Sequence, residues 1–171
     1  MRVFTATAVI AATVIVAPLP LAAAADFTLG ANAGSARINQ GDFEGNDTGW
    51  KVHMGGSYNQ IIGGEIGYVN FGKYGADNSN ANAFTPAVTL GVPVGIANFY
   101  AKGGVAFADV EGSSVREEYK NEDPFYGVGL RIGMPNGIGF RAEYERYQFD
   151  FADLDMAMAG LEFRFGGDRK Y

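Results

Sequence analysis

The amino-acid sequence predicts an all-β fold, an eight-stranded antiparallel up-and-down transmembrane β-barrel. Apolar and polar residues alternate along eight segments, as expected for strands whose two faces meet different surroundings. Long polar connections alternate with short turns, as in barrels whose loops are longer on one side of the membrane. The polar face of the strands carries glycine and both signs of charge, which suits an interior only just wide enough for side chains.

The plainest alternation lies in a predicted hairpin at residues 124–149. Its turn is the Met-Pro-Asn-Gly segment at 134–137, and Asn-Gly between two alternating runs is a strong hairpin signal. On the first arm, Val128 and Leu130 share one face, while glycines and Arg131 share the other. This hairpin supplies the predicted sixth and seventh strands.

The same alternation identifies six further strands. They are residues 27–37, 48–58, 61–71, 84–92, 99–109 and 154–165. The predicted long connections are residues 38–47, 72–83, 110–123 and 150–153. Pro86 removes a ladder hydrogen bond from the fourth strand, so we expect it near a strand end or at a bulge.

Residues 1–25 are predicted to be a secretory signal peptide. Arg2 gives a positive start, an apolar run covers residues 3–16, and the segment ends in alanines that suit a signal peptidase. The alternative is an N-terminal membrane anchor, but the run is shorter than the ~20 residues of a spanning helix. We therefore expect an exported chain in which residues 26–171 form one barrel domain, with a short tail at 166–171.

The composition excludes several classes of partner. The chain has 171 residues, of which 13 are basic and 19 acidic, giving a net charge of -6. Nucleic acid is not an expected partner, because phosphate binding needs a basic face. Cysteine is absent and there is one histidine, and the glycines do not open a helix as in a phosphate-binding loop. We therefore expect no disulfide, no metal and no cofactor.

Charged residues within the strands form the predicted site. They lie opposite the apolar face, and an unpaired charge in a narrow interior is costly, so near-balance of sign favours a paired network. The predicted barrel-interior charge network is Lys51, Glu65, Lys102, Arg131, Arg141, Glu143, Glu162 and Arg164. Glu145 is a further candidate near the rim. The alternative, a sheet face exposed to water, is disfavoured by the signal peptide, the loop asymmetry and the aromatic residues near strand ends.

Four short motifs add a family resemblance. They are Gly-Gly-Glu-Ile-Gly-Tyr at 63–68, Thr-Leu-Gly-Val-Pro at 89–93, Phe-Arg-Ala-Glu-Tyr at 140–144 and Leu-Glu-Phe-Arg-Phe-Gly at 161–166. With them the chain resembles the OmpA-like transmembrane domain, the OmpA–OmpX class of small eight-stranded outer-membrane β-barrels. The resemblance implies that a charge cluster crosses the interior and blocks or gates a water path, with Glu65 and Arg141 as interior acid and base.

The resemblance also implies a location and a role. We expect a monomer in the cell outer membrane with a structural or surface-interaction role, such as membrane integrity or loop-mediated adhesion. The expected partners are outer-membrane lipid and lipopolysaccharide, the outer-membrane assembly machinery, and a surface ligand of the loops. A narrow gated pore is the first alternative to this function.

Two further alternatives concern chemistry and ligand binding. A lipid-modifying enzyme would need a nucleophile and a base, but Ser57 lies roughly 13 Å along the strand from His53, so we expect a polar filler and no enzyme. A soluble barrel for an apolar ligand would need an apolar interior, whereas the interior candidates here are glycine and charge.

Overall fold

The computed structural model is a closed barrel of eight antiparallel strands in chain order, which confirms the predicted fold. It describes residues 26–40, 43–59, 61–74, 79–111, 121–133, 137–149 and 152–166. The strands are β1 (Asp26–Gln40), β2 (Phe43–Ser57), β3 (Ile62–Tyr74), β4 (Ser79–Val94), β5 (Ala97–Glu111), β6 (Asn121–Gly133), β7 (Ile138–Phe149) and β8 (Ala152–Gly166). The predicted signal peptide and most of the predicted tail lie outside these ranges. Within them no helix is long and apolar enough to cross a membrane.

Antiparallel pairing of β1 with β8 closes the barrel. The register runs from Asp26 opposite Gly166 to Asn39 opposite Asp153. Each strand therefore has a hydrogen-bonded neighbour on both sides, and the sheet has no open edge. A bilayer imposes this arrangement, because its core offers no water to satisfy backbone groups at an edge.

The strands are longer than the sequence pattern predicts. The β1–β2 ladder continues to Gln40 opposite Phe43, and the β4–β5 ladder to Asn80 opposite Glu111. Strand therefore occupies most of the predicted connections 38–47 and 72–83 and the ends of 110–123 and 150–153, which corrects these predicted boundaries. Beyond a membrane both faces of a strand meet polar surroundings, so the alternation fades while the backbone groups still pair.

Irregularities occur in β3 and β4. The register of β3 shifts between Asn70 and Lys73, at a β-bulge where Gly72 has a φ of +93°. Pro86 lies in the middle of β4, so the prediction that it lies near an end or at a bulge is wrong. Its pairing with β3 is continuous, while pairing with β5 is interrupted at Thr85 and Pro86. Pro86 has no backbone N–H to donate to β5. The barrel accommodates this loss because β4 and β5 pair in the same register before and after the interruption.

The connections at one rim, the short-turn rim, are tight. Only Gly95 and Ile96 join β4 to β5, and Gly95 has a φ of +62° that glycine adopts without strain. After β2, the Asn59 side chain accepts hydrogen bonds from the backbone N–H groups of Ile61 (2.8 Å) and Ile62 (2.6 Å). Residues 134–136 of the predicted Asn-Gly turn lie outside the described residues. We call the opposite rim, where the chain passes from the end of β1 to the start of β2, the loop rim.

Large apolar side chains cover the outer surface of the barrel. Among those exposed are Leu29, Trp50, Tyr68, Leu90, Phe99, Val128, Phe140 and Leu161. A sheet face in water would show charges outside and apolar residues inside, so this alternative is wrong. The apolar band extends to the short-turn rim at Ile62 and Ile96, whereas it ends near Trp50, Tyr126 and Tyr144, well short of the loop rim. Polar strand extensions beyond the band therefore account for much of the asymmetry that the sequence pattern assigned to long loops.

Candidate functional site in the barrel interior

Alternation along the strands directs charged side chains into the barrel. At its centre the buried charged residues are Lys51, Glu65, Lys102, Arg141, Glu143, Glu145 and Glu162. These long side chains fit because glycines on neighbouring strands face them. A Cβ on Gly67, for example, would lie 2.6 Å from Cε of Lys51. Glycine thus provides the space that a narrow barrel needs for a layer of ion pairs.

Glu65 on β3 lies at the centre of this layer. Its Oε1 accepts hydrogen bonds from Nζ of Lys51 (2.9 Å) and of Lys102 (3.1 Å), and its Oε2 accepts one from Nη2 of Arg141 (2.5 Å). Nη2 of Arg131 lies 3.5 Å from the same Oε2. One buried carboxylate therefore meets basic side chains from β2, β5, β6 and β7.

Glu143 and Glu145 on β7 complete the layer. Glu143 accepts hydrogen bonds from Nζ of Lys102 (2.6 Å), from Nη2 of Arg141 (2.7 Å) and from the Tyr100 hydroxyl (3.0 Å). Glu145 accepts one from Nζ of Lys51 (2.6 Å). The sequence left Glu145 as a candidate near the rim, but its side chain is fully buried. It pairs with the lysines on the neighbouring side of the lumen.

Arg131 lies at the edge of the layer. Its guanidinium carbon is 4.2 Å from the Tyr100 ring centre, and its Nε is 3.4 Å from Oε2 of Glu162. Arg164, a predicted member of the network, is instead exposed at the short-turn rim and lines a cavity of about 390 Å³ there. Arg164 is on the same inward-facing side of β8 as Glu162. It lies two residues farther along the strand, however, where the interior opens to water.

These placements balance the charge of the layer. Four basic side chains, Lys51, Lys102, Arg131 and Arg141, meet four carboxylates, Glu65, Glu143, Glu145 and Glu162. Oxygens of Glu65, Glu143 and Glu145 lie within 4.8 Å of one another, a spacing that a metal ion could bridge. The basic side chains already lie among these oxygens, so the arrangement does not require a cation.

His53 also faces the interior. It is buried, and its Nε2 lies 3.8 Å from Oε2 of Glu162. Gly30 on β1 lies against the imidazole, since a Cβ there would come within 2.5 Å of the ring. The ring is thus enclosed in the barrel and has no contact with the lipid-facing surface.

A second, apolar layer fills the interior between the charges and the loop rim. Phe125, Tyr147 and Phe149 stack with ring centres 5.1 and 6.0 Å apart, and Phe71 meets Tyr147 edge-on at 4.9 Å. Val69, Leu154, Met156 and Met158 are buried with them. The expectation of an interior made only of glycine and charge is therefore wrong. In the sequence these residues fall on the inward-facing side of the alternation, and this could have identified them. They were overlooked because the apolar band on the outer surface is built from the same residue types.

The comparisons with known proteins agree with this architecture. The family model for the outer membrane protein beta-barrel domain matches residues 6–165. Sequence comparison with curated proteins gives no match.

Solved structures share the fold at low sequence identity. Neisserial surface protein A has a TM-score of 0.69 at 12% identity, covering 81% of this chain and 97% of that one. Ail, the attachment invasion locus protein of Yersinia pestis, has a TM-score of 0.61 at 14% identity, covering 83% and 99%. The outer membrane enzyme PagL has a TM-score of 0.52 at 10% identity, covering 80% and 98%. Similarity at these identities shows the fold alone.

Proposed function

Because this chain belongs to the outer membrane protein β-barrel domain family, we propose that it is a structural or surface-interaction barrel whose lumen is closed to ions. The observation that carries this proposal is the filled interior, in which a balanced charge layer and an apolar layer lie in series. Export would use the signal peptide predicted at residues 1–25. The expected partners are outer-membrane lipid, the assembly machinery that inserts such barrels, and a ligand at the cell surface.

The two layers oppose ion flow for different reasons. In the charge layer, Lys51, Lys102 and Arg141 are already held by carboxylates at 2.5–3.1 Å, so a passing ion would have to displace a buried pair. In the apolar layer, the stacked ring faces cannot replace the hydration shell of an ion. Removing one layer should therefore leave the other closed.

Planar-bilayer recordings test the closed lumen. We expect the wild-type protein, R141A and the double variant F71S/M156S to insert without discrete conductance steps, and the combined triple variant to conduct. A157S is the matched control, because Ala157 lies next to Met156 in sequence but faces outward. Wild-type protein that shows stable unitary currents would contradict the proposal and favour the gated pore.

The surface role is supported by the shape of the loop-rim half. The strands continue beyond the apolar band, and β5 and β6 are joined there by residues 112–120, which include Arg116, Glu117 and Glu118. Ail has been solved in complex with the heparin analogue sucrose octasulfate. The present chain carries a net charge of -6, so its overall charge does not favour a soluble polyanion as the ligand of the loops.

The position of His53 supports a non-enzymatic role. Lipid chemistry requires a general base that reaches the lipid, and this imidazole is enclosed beside Glu162. The similarity to PagL is limited to the fold, and His53 is the single histidine of the chain.

A further inference from the structure

We propose that the outer surface of β7, β8 and β1 binds a phosphorylated lipid of the outer leaflet, with its phosphate on Arg37 and Arg146 and an acyl chain on the alanine-lined surface below them. This inference rests on the outer-membrane orientation in the proposed function, in which the loop rim faces the cell exterior. It adds a specific site to the general expectation of contact with lipid.

The cationic part of the site is a row across three strands. In the register, Arg146 on β7 lies opposite Asp155 on β8, and Asp155 lies opposite Arg37 on β1. Nε and Nη2 of Arg146 donate hydrogen bonds to the Asp155 carboxylate at 2.7 and 3.0 Å. All three side chains are on the outer surface, and the row has a net charge of +1. The aspartate fixes the Arg146 guanidinium plane.

The row is placed at the height of lipid headgroups. Arg146 lies two residues beyond Tyr144, which ends the apolar band on β7, and this is about 7 Å along a strand. Tyr126 on β6 lies opposite Arg146 in the register. Tyrosines at the membrane interface with arginines just outside match the level of a lipid phosphate, which arginine binds through paired N–H donors.

The surface directly below this row is indented. Continuing down the same three strands, the outward residues are Tyr144, Ala157 and Ser35, and then Ala142, Ala159 and Ala33. The four alanines line one end of a depression that continues across Val128 and Ala101 onto β6 and β5, and a second of about 420 Å³ lies beside Ala142 and Ala159, bounded by Leu130, Phe140 and Leu161. An acyl chain attached to a phosphate on the row would continue into this space.

Charge complementarity selects a lipid phosphate as the occupant. Of the arginines and lysines whose side chains the structure describes, Lys51, Lys102, Arg131 and Arg141 face the interior and Arg164 lies at the short-turn rim. Arg37 and Arg146 are left on the outer surface, and both belong to the row. A zwitterionic headgroup would gain little from a net positive row, whereas a phosphate monoester would pair with both guanidiniums.

Lipid retention tests the site. The protein is reconstituted into phosphatidylcholine nanodiscs containing either diphosphoryl lipid A or its dephosphorylated form, transferred to detergent, and examined by native mass spectrometry. We expect preferential retention of the diphosphoryl form, and a loss of about tenfold or more in R37Q/R146Q. R164Q is the matched charge control and should retain lipid A like the wild-type protein.

A second pair of variants tests the lower part of the site. A159F fills the depression without changing charge and should also reduce retention, whereas V88F adds a ring to the outer surface of β4, at a residue that lines neither depression, and should not. Equal retention by the wild-type protein and R37Q/R146Q overturns the proposal, as does full displacement of lipid A by excess inorganic phosphate, which would indicate a site for a free anion. Each variant is first shown to insert and to remain closed to ions, so failure here leaves the proposed function untouched.

Discussion

At the level of single residues, burial reverses the usual roles of charge and hydrophobicity in this protein. Arg141 is 1% exposed, whereas Leu161 is 43% exposed. The buried charges persist because each has opposite charges within about 4 Å, and the exposed apolar groups persist because the surrounding solvent is lipid. The most connected of these charges is Glu65, which lies between four basic side chains.

We expect E65Q to destabilise the barrel by about 3–5 kcal/mol, because the substitution keeps the shape but leaves buried positive charge unmatched. Urea titration in detergent micelles, followed by the fluorescence of Trp50, measures the effect, since this is the single tryptophan of the chain. E122Q is the control, because Glu122 is exposed on β6 and should change stability by less than about 0.5 kcal/mol. Equal effects of the two variants would show that the interior pairs contribute no net stability.

At the level of strands, glycine has two distinct uses that adjacent residues of β5 illustrate. Gly104 faces the interior, and a Cβ there would overlap the carbonyl oxygen of Pro86 on β4. Gly103 faces outward, and the nearest atom to its Cβ position is the carbonyl oxygen of Phe125 at 3.9 Å. The first glycine permits the close approach of β4 at its interrupted pairing, whereas the second has room for a side chain.

G104A should therefore lower the free energy of unfolding by about 1–3 kcal/mol, because the backbone of β4 must move. G103A should be neutral or slightly stabilising, since alanine restricts the unfolded chain without a clash. The same urea titration compares the two variants with the wild-type protein. A similar loss of stability in both would mean that the strand tolerates no Cβ at all and that the contact with Pro86 is irrelevant.

At the level of the whole molecule, closure of β1 on β8 makes the barrel a single hydrogen-bonded unit. The pairing spans Asp26 opposite Gly166 to Asn39 opposite Asp153. Opening it would expose two strand edges to hydrocarbon, which costs several kcal/mol for each unsatisfied backbone group. The intact barrel should therefore resist detergent.

Electrophoresis in SDS with and without boiling should show a mobility difference for the wild-type protein. Truncation after Gly166 should preserve this difference, because every described β1–β8 pair remains. Truncation after Gly160 removes the partners of Gly30, Ala31 and the residues before them, so the unboiled sample should migrate as the unfolded chain. A heat-dependent shift that survives the longer truncation would show that closure at this end of the seam is not needed for detergent resistance.

The strands and their inward and outward faces were predictable from the sequence, because a period of two is a local property that any strand displays. Lys51, Glu65, Lys102, Arg141, Glu143 and Glu162 could be assigned to one face on this basis alone. The family model and the neighbouring structures agree with the eight-stranded outer-membrane class that the sequence resembles.

The alternation along a strand shows which face a residue occupies, but it does not show the position of that residue along the barrel axis. That position depends on how the eight tilted strands are staggered. Only the tertiary structure therefore separated the charge layer from the apolar layer of Phe71, Tyr147 and Met156, moved Arg164 to the rim and brought Glu145 into the centre. It also aligned Arg37 with Arg146 across β8. The sequence by itself determined which side of the wall each residue faces; register across strands distant in sequence decided which residues meet.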